Sequence, residues 1–152
     1  MEDGCALRRR LAACARVVVL PSRATRVGDF TLGQLRKLSR VVLPFGLKTV
    51  GSRWFCWCDV EEVEIPTSVR TIGAEAFAHS RLLSVFIPAG VRTVESRAFW
   101  GCGRLEEVRF AEGSGLRRVG DGAFAGTMLV AGHVRFPASA RVSPSAFAGV
   151  EE

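Results

Sequence analysis

The stretch Gly120–Ala125, of sequence GDGAFA, has the spacing of a dinucleotide-binding fingerprint with alanine in the last place. That chemistry needs a preceding strand, a following helix in a βαβ unit of ~30 residues, and an acidic residue ~20 positions further on. The same stretch recurs in the chain as GAEAFA and ESRAFW, so its glycines occupy variable positions of a repeat. We therefore expect neither a nucleotide nor any other cofactor.

The cysteines include the pair Cys56 and Cys58, whose one-residue gap could hint at metal or redox chemistry. Zinc sites normally use four ligands, with a wider gap between paired cysteines. Cys58 shares its repeat position with Cys102, and only Cys56 is surplus to the repeat, so we expect structural or surface thiols and no metal. An odd count of cysteines argues against a disulfide framework and favours a reducing compartment.

The two histidines, His79 and His133, have no nucleophile or carboxylate at a suggestive spacing. Acyl-transfer triads depend on such partners within hydrogen-bond reach. His79 stands at a variable repeat position and is expected to be a partly exposed loop residue. The sequence therefore predicts that the protein is not an enzyme.

These residues all belong to a repeat that is clearest from Val63 to Cys102. Two copies, beginning VEIPTSVRTIGAEAF and VFIPAGVRTVESRAF, align without a gap at an offset of 22 residues. A fixed period in the range of ~20–50 residues is the signature of a solenoid. Weaker copies extend the pattern to about six units of 22–25 residues, anchored by Leu32, Phe55, Phe77, Phe99, Phe124 and Phe147.

Each unit is expected to be β-rich with a short helical turn. The alternation Val63-x-Ile65 predicts a short strand that ends at Pro66, because proline cannot donate to the ladder. A second extended piece buries Ile72, and a brief helical turn opens at Phe77. Stacking of such units builds one continuous core, because no unit can bury its apolar face alone.

The chain is expected to begin with a short helical cap at residues 1–16, where Leu7, Leu11 and Cys14 recur at helical spacing. Such a cap would cover the first repeat. Residues 17–152 form a single solenoid domain in this interpretation. The last repeat stops at Glu152 without a capping segment, which leaves three alternatives: an exposed last repeat, self-association through that repeat, or a fragment of a larger repeat protein.

Ile65-Pro66, Val69, Ile72-Gly73 and Ala76-Phe77, with Cys58 and Cys102 at a small-residue position, follow the pattern I-P-x-x-V-x-x-I-G-x-x-A-F-x-x-C-x-x-L-x-x-V. This pattern resembles the BspA-type leucine-rich repeats, and the resemblance covers roughly residues 18–150. It implies a leucine-rich-repeat-like solenoid with a parallel strand ladder. It also implies a non-enzymatic recognition module, of a kind often found on cell surfaces that adhere to hosts.

Four cations share one repeat position beside the second strand: Lys48, Arg70, Arg92 and Arg117. Neighbouring strands of a ladder lie about 4.8 Å apart, so these side chains should line up as a cation row. One interpretation is an anion-binding site for nucleic acid or another polyanion, which the net charge of +6 favours. The other is a solvated charged edge that prevents edge-to-edge pairing.

A second row lies on the first strand between its two inward residues: Val19, Val42, Glu64, Phe86, Arg109 and Arg135. Alternation directs these side chains outward, and we name the surface they form the first-strand face. Exposed aromatic residues such as Phe86 anchor interfaces. Trp54, Trp57 and Trp100 are expected to add to it, because Trp100 takes a position that is otherwise small. These residues predict a binding site for an unidentified protein partner.

Different features of the sequence favour different cellular compartments. No apolar run approaches the ~18 residues that span a membrane. Arg8–Arg10 precede an apolar stretch that faintly resembles a signal peptide, but Arg16 interrupts it. A missing signal peptide and the odd cysteine count favour the cytoplasm, whereas the family resemblance implies the cell surface. The leading function is a scaffold for protein–protein recognition, with polyanion binding as the alternative.

Overall fold

Ten short strands, all paired in parallel, make up the regular structure of the described chain. The structure is a computed structural model, and it describes residues 16–23, 32–130 and 133–148. The strands are β1 (Val17–Val19), β2 (Arg40–Val42), β3 (Thr49–Val50), β4 (Glu62–Glu64), β5 (Thr71–Ile72), β6 (Ser84–Ile87), β7 (Thr93–Val94), β8 (Glu107–Phe110), β9 (Arg118–Val119) and β10 (Arg141–Val142).

The second strand of each unit joins one continuous sheet, in the order β3, β5, β7, β9 and β10. Thr71 pairs with Thr93 and Ile72 with Val94, so the 22-residue offset of the sequence becomes the register of the sheet. The inner residue of β5 is buried and its outer residue is partly exposed, as alternation requires. The predicted repeat solenoid is confirmed.

The first strands form a ladder that is interrupted in the middle. Strands β1, β2 and β4 make one sheet, and β6 and β8 make another. A strand was also expected at residues 134–136, and that prediction is wrong. Among the described residues no backbone hydrogen bond joins this segment to β8. Phe136 instead packs against Phe110, with ring centroids 5.3 Å apart.

The segment that follows each second strand is not helical, and the predicted brief helical turn at Phe77 is wrong. None of the described residues lies in an α-helix. Glu75 and His79 have φ angles of 54° and 55°, in the left-handed region, which interrupts a right-handed helix. The Phe77 amide donates to the Ala98 carbonyl of the next unit at 2.8 Å. The segment is therefore a run of turns that is hydrogen-bonded to its neighbouring unit.

A column of phenylalanine rings runs through the core. Consecutive ring centroids lie 5.2, 5.4, 5.4 and 5.5 Å apart along Phe55, Phe77, Phe99, Phe124 and Phe147. Leu32 takes the corresponding place in the first unit and is also buried. The expected stacking of one anchor residue per unit is confirmed.

Small residues with hydrogen-bond donors end the turns: Cys58, Ser80, Cys102 and Thr127, all buried. The Cys102 thiol donates to the Phe77 carbonyl at 3.0 Å, and the Cys58 thiol donates to the Leu32 carbonyl at 3.2 Å. The Thr127 hydroxyl donates to the Phe124 carbonyl at 2.7 Å. This position therefore selects a small donor, because a buried backbone carbonyl left without a partner costs stability.

The predicted helical cap at residues 1–16 lies, apart from Arg16, outside the described residues, and the structure gives it no support. Within the described ranges, the structure contains no helix with the length and apolar character of a membrane span.

Substituting Gly73 with alanine is expected to destabilise the solenoid by about 1–3 kcal/mol, the usual cost of overpacking. A Cβ atom there would meet the Val50 carbonyl at 2.7 Å and the Ser52 amide at 2.8 Å, both of them backbone atoms. Gly103→Ala is the matched control, because a Cβ at Gly103 meets nothing within 4 Å. Urea denaturation of both variants measures the difference, and equal midpoints would contradict the close packing of the two units.

Candidate functional site

The first-strand face is exposed along its whole predicted length. Along β1, β2, β6 and β8 the residues alternate, so that Val18, Val41, Val85 and Val108 enter the core while the residue after each of them points outward; on β4, Val63 is partly buried and Glu64 is exposed. The exposed fractions of Val19, Val42 and Phe86 are 68%, 42% and 52%. The charged members Glu64, Arg109 and Arg135 are also exposed. The structure thus places all six predicted residues on the surface, although Arg135 lies outside any strand.

A groove of about 510 Å³ crosses this face where the ladder of first strands is interrupted. Its wall includes Val42, Phe45, Glu64, Pro66 and Phe86, so three successive units contribute to it. The volume falls within the range of ~300–1,000 Å³ that is usual for ligand clefts. The groove brings together three residues predicted from the first-strand face and separates them from Arg109 and Arg135.

Phe45 is a groove residue that the sequence analysis did not single out. Its side chain is 82% exposed, the highest fraction among the exposed large apolar residues of the described chain. The sequence does contain a sign that Phe45 is unusual, because the corresponding positions of the next two units hold Thr67 and Ala89. An exposed phenylalanine at a position that is otherwise small or polar is not required by the repeat.

The charge of the first-strand face changes along the solenoid. Glu62 and Glu64 are both exposed on β4, and neither carboxylate has an ion-pair partner among the described residues. Arg109 on β8 is paired with Glu107 at 2.7 Å, and that hydrogen bond raises the pKa of the Arg109 guanidinium. The groove therefore combines two unpaired carboxylates with apolar side chains, whereas Arg109, farther along the face, is paired with Glu107.

The arginines of the cation row lie against the following unit. The Arg70 guanidinium donates to the Thr67 and Gly90 carbonyls at 3.0 and 3.3 Å, and that of Arg92 donates to the Gly115 carbonyl at 3.4 Å. A Cβ atom at Gly90 would lie 2.2 Å from the Arg70 guanidinium, so this turn position must be small. Part of the donor capacity of the row thus holds turns together, and anion binding by the row stays a prediction.

Lys48 and Arg117, the other members of the cation row, are exposed. Arg117 adjoins Arg118 on β9 and lines a recess at the carboxyl-terminal end of the second-strand sheet. Within the cation row, Arg70 and Arg92 thus donate hydrogen bonds to backbone carbonyls of the following unit, whereas Arg117 lines a recess.

The tryptophans are divided between core and surface. Trp54 is fully buried, so its predicted place on the binding surface is wrong, and its ring packs edge-on against Phe55 at 6.0 Å. Trp100 projects as predicted, with 38% of its surface exposed. His79 stacks on Trp57 at 3.9 Å and meets Trp100 edge-on at 4.6 Å. The repeat pattern did not reveal this aromatic cluster, which lies on the turn side of the solenoid.

The three cysteines of the described chain are free thiols, and two of them, Cys58 and Cys102, are buried. Burial raises the pKa of the Cys102 thiol to about 11 and that of the Cys58 thiol to about 12, and partial burial raises the pKa of Cys56. A thiolate is the form that attacks electrophiles and binds metals. In the described ranges no three residues of histidine, cysteine, aspartate or glutamate are grouped closely enough to hold a metal ion.

The comparisons with known proteins agree with this geometry. A family model of the BspA type leucine rich repeat region matches residues 15–151 in six copies. A search of curated proteins finds no match to this chain.

Solved structures that are similar to this chain include the following two. One is a leucine-rich repeat protein from Bacteroides ovatus, with a TM-score of 0.62 and 21% sequence identity; the match covers 97% of this chain and 48% of that one. This chain therefore spans about half the length of the Bacteroides protein, and the likeness shows the fold alone. The other is the pneumococcal vaccine antigen PcpA, with a TM-score of 0.47 and 17% identity over 74% of this chain and 22% of that one.

Proposed function

The chain belongs to the BspA-type leucine-rich repeat family, and from that premise we propose a non-enzymatic scaffold that binds a protein partner through the first-strand face. Repeat scaffolds present extended surfaces whose variable positions decide what they bind. The described residues offer no nucleophile–base pair that would favour catalysis instead. The partner in this proposal is an extended peptide segment that enters the groove.

The observation that carries the proposal is the pair of exposed phenylalanines at the groove. Phe45 and Phe86 are 82% and 52% exposed, and both line the same groove. Burying aromatic surface is a main source of binding energy at interfaces, and such residues tend to act as hot spots when they are enclosed by a partner.

Charge decides the chemistry of the partner. Glu62 and Glu64 line the groove beside the phenylalanines, whereas Arg40 is the only cation in its wall. Complementary charges accelerate association and select partners. The proposed occupant therefore carries apolar side chains flanked by lysine or arginine.

Selection of a random displayed peptide library on the immobilised protein tests this function. Enriched peptides are expected to combine apolar with basic residues. Phe86→Ala is expected to weaken the affinity for a selected peptide by at least about tenfold, as for a hot-spot residue. Glu64→Lys is expected to weaken the affinity for the same peptide more than Phe86→Ala does at low salt, because a lysine at this position would repel the basic residues of the peptide. Titration of fluorescently labelled peptide measures both changes.

Met128→Ala is the control variant, because Met128 is 60% exposed and lies outside the groove. Each variant is first shown to melt as the parent protein does. Selection of no peptide, or binding that is unchanged in both Phe86→Ala and Glu64→Lys, would overturn the proposal.

A further inference from the structure

The outer residues of the second-strand sheet change from threonine to arginine along the solenoid. Thr49, Thr71 and Thr93 are in register on β3, β5 and β7. The same row then continues with Arg118 on β9 and Arg141 on β10, which are also paired in register. Neighbouring rungs lie about 4.8 Å apart, and like charges at directly opposed positions are destabilising. The like charges of Arg118 and Arg141 therefore disfavour this pairing, and an anion bound between them would offset the repulsion.

A third arginine converges on the same place. Arg117 precedes Arg118, and both line a recess of about 330 Å³ together with Arg141, Gly120 and Ser143. All three arginines are exposed, and none has a salt-bridge partner among the residues that the structure describes. Arg92 is different, because its guanidinium donates one of its hydrogen bonds to the Gly115 backbone carbonyl.

One carboxylate, that of Asp121, lines the recess together with the three arginines. The hydroxyls of Ser143 and Ser145 both donate to the same carboxylate oxygen of Asp121. These hydrogen bonds lower the pKa of Asp121, which therefore stays ionised and offsets one of the positive charges. A net positive recess remains.

We propose that Arg117, Arg118 and Arg141 form a binding site for an oxyanion, the phosphate or sulfate group of a ligand. A guanidinium presents paired N–H donors in a planar fork that matches two oxygens of such a group. A dianion between neighbouring rungs replaces the repulsion of Arg118 and Arg141 with two attractive contacts. The site does not rest on the proposed peptide groove, which lies on the other strand ladder and is lined by different residues.

Nuclear magnetic resonance titration of the protein with inorganic phosphate and, separately, inorganic sulfate tests the site. Saturable shifts are expected at the backbone amides of Arg118 and Arg141 and at their side-chain Nε–H groups, with chloride at matched ionic strength giving none. Arg118→Gln with Arg141→Gln is expected to weaken binding by at least about tenfold, because two charge-assisted contacts are lost. The anion that binds more tightly in the wild-type protein identifies the source group.

Arg36→Gln with Lys37→Gln is the matched control, because it removes the same charge from another exposed place. Both double variants are accepted only if their core phenylalanine signals match those of the parent. Non-saturable shifts, or equal binding by the parent and the Arg118→Gln, Arg141→Gln protein, would overturn the proposal.

Discussion

Phe99→Ala is expected to lower the free energy of unfolding by about 3–5 kcal/mol, which is a large part of the stability of a small domain. Phe99 is fully buried and stacks on Phe77 and Phe124, both at 5.4 Å and nearly parallel. Alanine would leave a cavity between two units that each depend on the other for burial. A melt followed by circular dichroism is expected to lose its sharp transition or shift far down in temperature.

Phe86→Ala is the matched control for this experiment. It makes the same substitution within the same repeat unit, but Phe86 is 52% exposed, so the expected cost is below about 1 kcal/mol. A Phe99→Ala protein that melts within error of the parent would show that the column of rings does not hold the units together.

Raising the pH above about 9 is expected to destabilise the protein through its buried thiols. Burial raises the pKa of Cys102 to about 11 and of Cys58 to about 12 from an ordinary 9.0. Between these values the unfolded chain loses thiol protons that the folded chain keeps, so the free energy of unfolding falls as the pH rises. The slope is about 1.4 kcal/mol per pH unit for each thiol. The full contribution of these protonated thiols is present below pH 9 and is lost as the pH rises toward their folded-state pKa values.

Urea denaturation at a series of pH values from 8 to about 10.5, under reducing conditions, measures this slope. The sequence lacks tyrosine, so the other side chains that titrate in this range are the two lysines and the remaining three cysteines, all of which the control variant below retains. Cys58→Ser with Cys102→Ser is the control, since serine and threonine occupy the sister positions Ser80 and Thr127 and donate similar hydrogen bonds. A control profile as steep as that of the parent would mean that the buried thiols do not cause the effect.

Much of the fold could be predicted because the residues that recur at the repeat period are the residues that form the core. The anchors Phe77 and Phe99 recur at the offset of the period, and stacking at that offset is the arrangement that buries both of them. The outward position of Phe86 followed from alternation in the same way. The predictions succeeded at positions where a residue's burial depends on its place within one unit.

The predictions that were wrong concern contacts that the repeat pattern does not show. Ala76-Phe77 has helix-forming composition, yet the Phe77 amide bonds to the next unit and Glu75 adopts a positive φ. Trp54 was expected to add to the binding surface, but it is fully buried and fills the space above Gly51, where a Cβ would lie 2.1 Å from its indole nitrogen. Neither contact is visible in a comparison of sister positions alone.

For the cation row, the sequence predicted the alignment of the side chains but not the hydrogen bonds that they make. The sequence predicted that Arg70 and Arg92 would line up, and the register of the second strands places them so. It did not show that each guanidinium lies across the turn of the following unit. Among the described arginines beside this sheet, those without an ion pair include Arg117 of the row and, one repeat position further along, Arg118 and Arg141.

The sequence by itself determined the period, the anchor residues and the direction of the strand side chains, because these depend on spacing within a single chain segment. Only the tertiary structure decided the conformation of the turns, the interruption between β4 and β6, and which exposed charges lack a partner. Those features arise where one unit meets the next, and their energies depend on backbone hydrogen bonds and side-chain contacts across that boundary. The candidate groove at Phe45 and Phe86 is such a feature, since it exists only where three units are stacked.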